Sequence, residues 1–238
     1  MTINELLVKG RSKIDDAEGP PFLWGTEEFV DAFNRGQNEL CEIGIIQGIT
    51  IPVPTLPATT TFPTDIPINH TINKYAIDSR IIRIKAAFLL TLKQELIVCS
   101  KVWMDEHYPY WLMDTGDDIE RDTPQYLVDD VETGYVYIYP YLETDVTDNI
   151  RLTMTRYPLV QMLTTDLEES PEIPSNYHID LLDKMMSILY LKQDVRTYRP
   201  AAAKIYEKIW NDKVATIKRL FINKQYKTRT VRVHDAFL

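Results

Sequence analysis

The chain has 238 residues, 45% hydrophobic and 26% charged, enough to bury a sizeable core in one large domain or two small ones. Its 35 acidic and 26 basic residues leave a formal net charge of −9, the wrong sign for tight, sequence-independent binding to a phosphate backbone. That balance still admits a protein that sits beside DNA without gripping it.

No apolar run approaches the roughly 20 residues needed to span a bilayer. The opening MTINELLVKGRSKIDD lacks the apolar core of a signal peptide. Synthesis in the cytoplasm is expected, with neither secretion by the general route nor insertion in a membrane. Cys41 and Cys99 lack Cys-x-x-Cys spacing and read as small apolar fillers in a reduced compartment.

In chain order, TINELLVKGRSKI places Ile3, Leu6, Leu7 and Ile14 at helical spacing before the DDAEGPP break. WGTEEFVDAFNRGQNELCEIG predicts a second helix. Thr26 is its expected N-cap, Glu27 and Glu28 sit in its first turn, and Gly44 lies just past its end. From Ile49 the prolines of ITIPVPTLPATTTFPTDIPIN forbid a helix and point to an extended segment or edge strand.

KYAIDSRIIRIKAAFLLTLKQELIVCSKVWM alternates and clusters like two or three strands. YLVDDVETGYVYIY reads as a hairpin with an acidic, glycine-containing turn, and DNIRLTMTRYPLVQML as a strand with Ile150, Leu152 and Met154 on one face. Helical period returns with Ile179, Leu182, Met186 and Leu189. It continues after Pro200 with Tyr206, Trp210, Val214, Ile217 and Phe221. The tail NKQYKTRTVRVHDAFL is basic, alternating and apolar at its tip, suited to a frayed end or to an arm that docks on an acidic partner.

The expected architecture is α+β. A helical bundle from the N- and C-terminal segments carries a β-rich, sandwich-like central insertion. Residues 1–48 form the first part of the bundle, 49–171 the β-rich domain, 172–222 the second part of the bundle and 223–238 an extended C-terminal arm.

Chemistry is thinly represented. His70, His107, His178 and His234 are scattered, without His-Glu-x-x-His spacing or a neighbouring cysteine pair. Asp105, Glu106, His107 and Asp114 read as an exposed polar loop rather than a metal cluster. The eight glycines form no phosphate-cradling loop, and no Gly-x-Ser-x-Gly elbow occurs. LMDTGDD carries the Asp-Thr-Gly of an aspartyl-protease half-site at Asp114 to Gly116. Asp117 and Asp118 then add negative charge that disfavours an ionised carboxylate pair. No catalytic residue, metal site or cofactor is expected.

Tyr135, Tyr137 and Tyr139 alternate with Val136 and Ile138, so their rings share one strand face. A stacking platform for single-stranded nucleic acid, a plain sheet stripe and a subunit seam all fit that pattern. The acidic neighbours Asp129, Asp130, Glu132, Glu143 and Asp145 repel phosphate and favour sheet or subunit packing.

Four stretches in order resemble a family of tailed-bacteriophage head–tail connector (adaptor) proteins. WGTEEFVDAFNRGQNEL is similar to that family's tryptophan-led second helix with a central asparagine. Trp111, Gly116 and PQYLVDDVETGYVYIYP resemble its tryptophan, glycine and Pro-x-Tyr strand with a hairpin ending in Tyr-Pro. IRLTMTRYPL resembles the next strand with its Arg-Tyr-Pro exit, and IPSNYHIDLLDKMMSILYLKQDV the third helix opened by Ile-Pro and a Tyr-His pair. The threonine- and proline-rich stretch before Tyr75 is longer than in the family, and Gly116 lacks its adjacent proline.

The resemblance implies a structural virion protein and not an enzyme. Such a protein is a homo-oligomeric, typically twelvefold ring beneath the portal at the head–tail neck. It extends the channel through which genomic DNA passes on ejection, without sequence-specific binding, and it offers an attachment surface to a downstream tail or nozzle protein. On this reading Asp117, Asp118, Asp129, Asp130 and Glu132 are expected on lumen-facing or loop-tip surfaces, where an acidic wall lets DNA slide. Arg229, Arg232, Phe237 and Leu238 are the expected portal-docking residues, and Tyr135, Tyr137 and Tyr139 pack within a sheet or between subunits. The alternatives are another neck, tail-completion or baseplate component and, further off, an aspartyl-type hydrolase.

Overall fold

A computed structural model describes residues 1–14, 23–51, 62–112, 121–143, 146–193 and 198–234, with side chains described as far as Phe221. The chain divides into two compact units, Met1–Ile46 with Val160–Leu238, and Gln47–Leu159. Residues 160–171 thus fall with the helices.

The first unit holds α1 (Ile3–Lys13), α2 (Thr26–Glu42), α4 (Leu181–Leu189) and α5 (Pro200–His234). In α1, Thr2 and Glu5 form a reciprocal cap: the Glu5 amide donates to Thr2 Oγ1 and the Thr2 amide to Glu5 Oε2, each at 3.2 Å. The cap of α2 lies one residue before the expected Thr26. Gly25 is the N-cap, and its amide donates to Glu28 Oε2 at 2.7 Å. The far end of α2 closes on Gly44 at φ 92°, a left-handed position that lets the Gly44 and Ile45 amides reach back to the Cys41 and Leu40 carbonyls.

α1, α2 and α5 all pack on α4. α2 approaches it closely because residue 36 is glycine: a Cβ there would lie 3.0 Å from Leu181 Cδ2. Leu182, Met186 and Leu189 are buried as their spacing predicts, but Ile179 is 45% exposed, because it lies in a 3-10 turn (Ser175–Asp180) that precedes α4. Buried Asp183 joins three helices, accepting from Lys13 at 2.8 Å and from Lys213 at 2.6 Å.

The second unit is one eight-stranded mixed sheet. Its strands are β1 (Gln47–Ile49), β2 (Ile66–Asn69), β3 (Lys74–Ala76), β4 (Ile81–Leu89), β5 (Gln94–Cys99), β6 (Tyr126–Val128), β7 (Tyr135–Tyr139) and β8 (Thr147–Arg156). They run in the order β1-β8-β4-β5-β6-β7-β3, with β2 also on β8. β5 and β6 are parallel, and the other pairs are antiparallel. Two register shifts between β4 and β8 add bend, and the sheet curls into a half-barrel. Its main core takes alternate residues, including Ile84, Leu96, Val136, Ile138, Ile150 and Leu152.

This corrects the expected fold class. A helical bundle carrying a sandwich-like insertion needs two sheets face to face, whereas here a single curled sheet dominates the core. Alternation along a strand reads the same in both architectures, so the pattern did not separate them. Two local expectations change as well. SKVWM begins a helix, α3 (Lys101–His107), because Ser100 Oγ accepts the Trp103 amide and Lys101 pairs with Asp105 one turn on at 2.6 Å. Residues 223–234, expected as an extended arm, continue α5. They contain neither glycine nor proline, and their Lys, Arg and Gln residues favour helix.

Candidate interaction surface

The tyrosine strand β7 turns Val136 and Ile138 into the main core and its tyrosines to the other face of the sheet. That second face is covered by α3 and the residues after it, where Met104, Trp111, Val128 and Tyr139 form a separate buried cluster. Tyr139 packs 5.1 Å from the Tyr108 ring and Tyr137 lies edge-on to Trp111 at 6.0 Å. Tyr135 carries the Lys74 ammonium over its ring at 4.0 Å. The three rings therefore grade along one strand from buried at Tyr139 to half-buried at Tyr137 and Tyr135.

Local hydrogen bonds lock this layer. The Trp111 indole donates to Asp105 Oδ1 at 2.9 Å, the Tyr108 and Tyr126 hydroxyls meet at 3.2 Å, and Trp103 stacks on His107 at 4.0 Å. Beside the locked cluster, Tyr110 and Val102 are left exposed.

The acidic loop is also tied to the fold. Asp130 accepts the Lys101 amide at 2.5 Å, beside the start of α3. Glu132 accepts Lys74 Nζ at 2.5 Å and the Tyr137 hydroxyl at 3.3 Å. The bond from Lys74 holds its carboxyl below the usual range. Asp129 is half-buried; desolvation, and then the charge of Asp130, push its carboxyl up. Glu132 and Asp130 are exposed at the hairpin tip. Asp117 and Asp118, with the Asp114 string, lie outside the described residues. So do Phe237 and Leu238, and Arg229 and Arg232 lie on α5 where only the backbone is described.

Three polar clusters have no signature in the sequence, because their members lie far apart along it. Asp65 is buried, taking Arg151 Nη2 at 2.7 Å and Nε at 3.1 Å and the Thr50 hydroxyl at 2.7 Å. Thr50 in turn accepts the Leu152 amide at 2.9 Å. Asp148 accepts the amides of Thr91, Leu92 and Asn149 at 2.7, 3.1 and 2.6 Å. Burial opposes its ionised form, but the three amides outweigh it and hold the carboxyl below its usual range. In the helical unit, the Asn34 amide both donates to the Met162 carbonyl and accepts its N–H, at 2.9 Å each.

A cleft of about 260 Å³ opens among β2, β3 and β4. Its two carboxylates are engaged, Asp65 by Arg151 and Asp78 by Arg80 Nε at 2.9 Å. Among the described residues no three His, Cys, Asp or Glu side chains are grouped to hold a metal. Burial, with Asp130 and Asp129 nearby, pushes the Cys99 thiol up to about 11, so it is protonated at neutral pH and neither nucleophilic nor ready to ligate. Among the described residues no helix is long and apolar enough to cross a membrane. No protein-family model and no curated protein sequence matches the chain.

Proposed function

We propose that this chain is a structural part of a phage virion, a ring-forming head–tail connector that sits beneath the portal, lines the exit channel for DNA and presents a seat to the tail. The observation that carries the reading is the ordered set of four stretches that resemble the connector family. Their marker residues act as fixed points of the two units. Trp24 is buried and donates to the Leu189 carbonyl at 3.3 Å, and Asn34 brackets Met162. Trp111 and Tyr139 share one buried cluster. His178 is buried between the Ile173 carbonyl, 2.8 Å away, and the carbonyl of Met1, 3.1 Å away.

Buried polar groups that brace backbone suit a part whose surfaces press against neighbours. The hairpin tip, with Asp130 exposed and Glu132 exposed but paired with Lys74, suits a channel wall that does not retain phosphate.

Electron microscopy of the purified chain, alone and mixed with portal protein, tests this. Closed rings that attach to portal are expected, with portal binding lost when Val231 to Leu238 are removed and the cooperative unfolding of the chain kept. A chain that binds no portal but co-purifies with baseplate or tail-completion proteins would transfer it to that neighbouring role. A monomer that turns over a substrate would overturn the structural reading altogether.

A further inference from the structure

We propose that the helical unit carries both halves of a head-to-tail contact between copies of this chain: an apolar stripe on α5 flanked by positive charge seats on the acidic, apolar 160–169 segment of the next copy. The proposal rests on the connector reading only for closure of the contact into a ring.

α5 has two apolar faces. One is inward, with Ala203, Trp210 and Ile217 buried. The other holds Ile205, Ile209 and Leu220, which are 61%, 38% and 55% exposed. At 3.6 residues per turn these three fall within about 60° of one another, roughly 100° round from the inward face, along about 22 Å of helix. Single exposed apolar residues are ordinary, whereas an aligned stripe marks a contact surface. Lys208 and Arg219 border it on one side, with exposed Asp212 nearer and Thr216 within it; both cations are exposed and neither is ion-paired among the described residues.

The complementary surface lies on the same unit. Val160 and Leu163 are 46% and 48% exposed, and Asp166, Glu168 and Glu169 beside them are exposed and without an ion pair among the described residues. This segment is held in shape. Met162 is clamped by Asn34, and the Leu167 and Glu169 carbonyls accept the Asn4 and Ile3 amides at 2.9 and 2.8 Å. α5 is equally fixed, with the Trp210 indole donating to Glu39 at 2.6 Å. Two preorganised patches lose little freedom on docking.

Their placement separates the two patches, so one pair of copies does not close both contacts at once. On α2, Asn34 and Asn38 hold residues 161 and 162, while Gly36 and Glu39 face α4 and Trp210. These two pairs point roughly 150° apart around the helix, so residues 161 and 162 and the Trp210 anchor of α5 lie on opposite sides of α2. Unlike patches on separate elements join copies heterologously, which gives a ring or a filament. The opposite charges set the register of the contact. A second copy is the fitting occupant because this chain supplies both an apolar-basic surface and its apolar-acidic counterpart.

Sedimentation and electron microscopy of charge-reversed chains test the contact. Lys208→Glu with Arg219→Glu, or Glu168→Lys with Glu169→Lys, should each weaken self-association roughly tenfold or more, with unchanged circular dichroism. Combining all four changes in one chain should restore it. Ile209→Glu serves as a charge-independent check and should also disperse the oligomer. Oligomers that survive both reversals overturn the contact and leave the ring reading standing. Reversals that disperse an oligomer seen as an open filament keep the contact and sink the ring. A wild-type chain that stays monomeric at all concentrations overturns the contact.

Discussion

In the helical unit, buried polar side chains tie together elements far apart in the chain, whereas in the sheet unit they finish the backbone where strands stop. Lys13 with Asp183, Asn34 with Met162 and Trp24 with Leu189 each span more than a hundred residues. Asp148 instead closes the β4–β5 turn by taking three amides. Thr50 accepts the Leu152 amide in the gap on β8 between the residues paired with β1 and those paired with β2, and Asp65 holds the Thr50 hydroxyl and the Arg151 guanidinium beside it. The contrast has a backbone origin. A helix interior satisfies its own amides and carbonyls, so its side chains are free to cross-brace. A turn or a gap in the strand ladder leaves backbone groups unpaired, and a nearby carboxylate or hydroxyl must meet them.

The most damaging test of the cross-bracing is Trp210→Ala. It empties a fully buried site and strips Glu39 of its indole donor, so a loss of about 3–5 kcal/mol is expected in urea unfolding. A loss under about 1 kcal/mol would show that α5 does not depend on that anchor. Next comes Asp148→Ala, which strands three amides at a turn. It should cost about 2–3 kcal/mol, with faster hydrogen exchange confined to Thr91, Leu92 and Asn149. Exchange that rises across the helical unit instead would undo the local role assigned to that carboxylate.

Asp183→Asn probes the charged brace. Both lysines keep more than a third of their side chains in water, so only about 1–2 kcal/mol is expected at neutral pH. Burial works against the ionised Asp183, but its bonds to Lys13 and Lys213 prevail and hold its carboxyl below the ordinary 3.8. That stabilisation is therefore fully present above pH 3.8 and fades as pH falls through the depressed value. Lys213 is shifted the other way: burial opposes its charge, yet Asp180 and Asp183 raise it above 10.5, so its contribution is lost only as pH rises beyond that. The gap between wild type and variant should narrow in acid melts below about pH 4; a constant gap would refute the brace. The smallest effect expected is Thr2→Ala, about 1 kcal/mol from the α1 cap, read as fraying of α1 by hydrogen exchange.

Much of the secondary structure was legible from spacing alone. α2 with Gly44 beyond its end, the β6–β7 hairpin, and β8 with Ile150, Leu152 and Met154 buried on one face all follow local rules. α3 was not legible, because KVWM is apolar enough to pass for a strand. The features that settle it are the Ser100 cap and the Lys101–Asp105 pair. The tail misled for the opposite reason: a short Val231–Val233 alternation suggested an arm where helix-favouring residues continue α5.

Of the surface around β7, the sequence showed that Tyr135, Tyr137 and Tyr139 share one face, since a strand's period of two is a property of the backbone. It did not show that Trp111 and Tyr108 cover part of that face, which depends on how α3 folds back. The same division holds throughout. Which residues face together along an element, and the sign of the charge around them, are written in nearest-neighbour geometry. Whether alternating strands build two sheets or one curled sheet, and which distant aspartate meets which lysine or arginine, arises only when segments a hundred residues apart compete for the same partners.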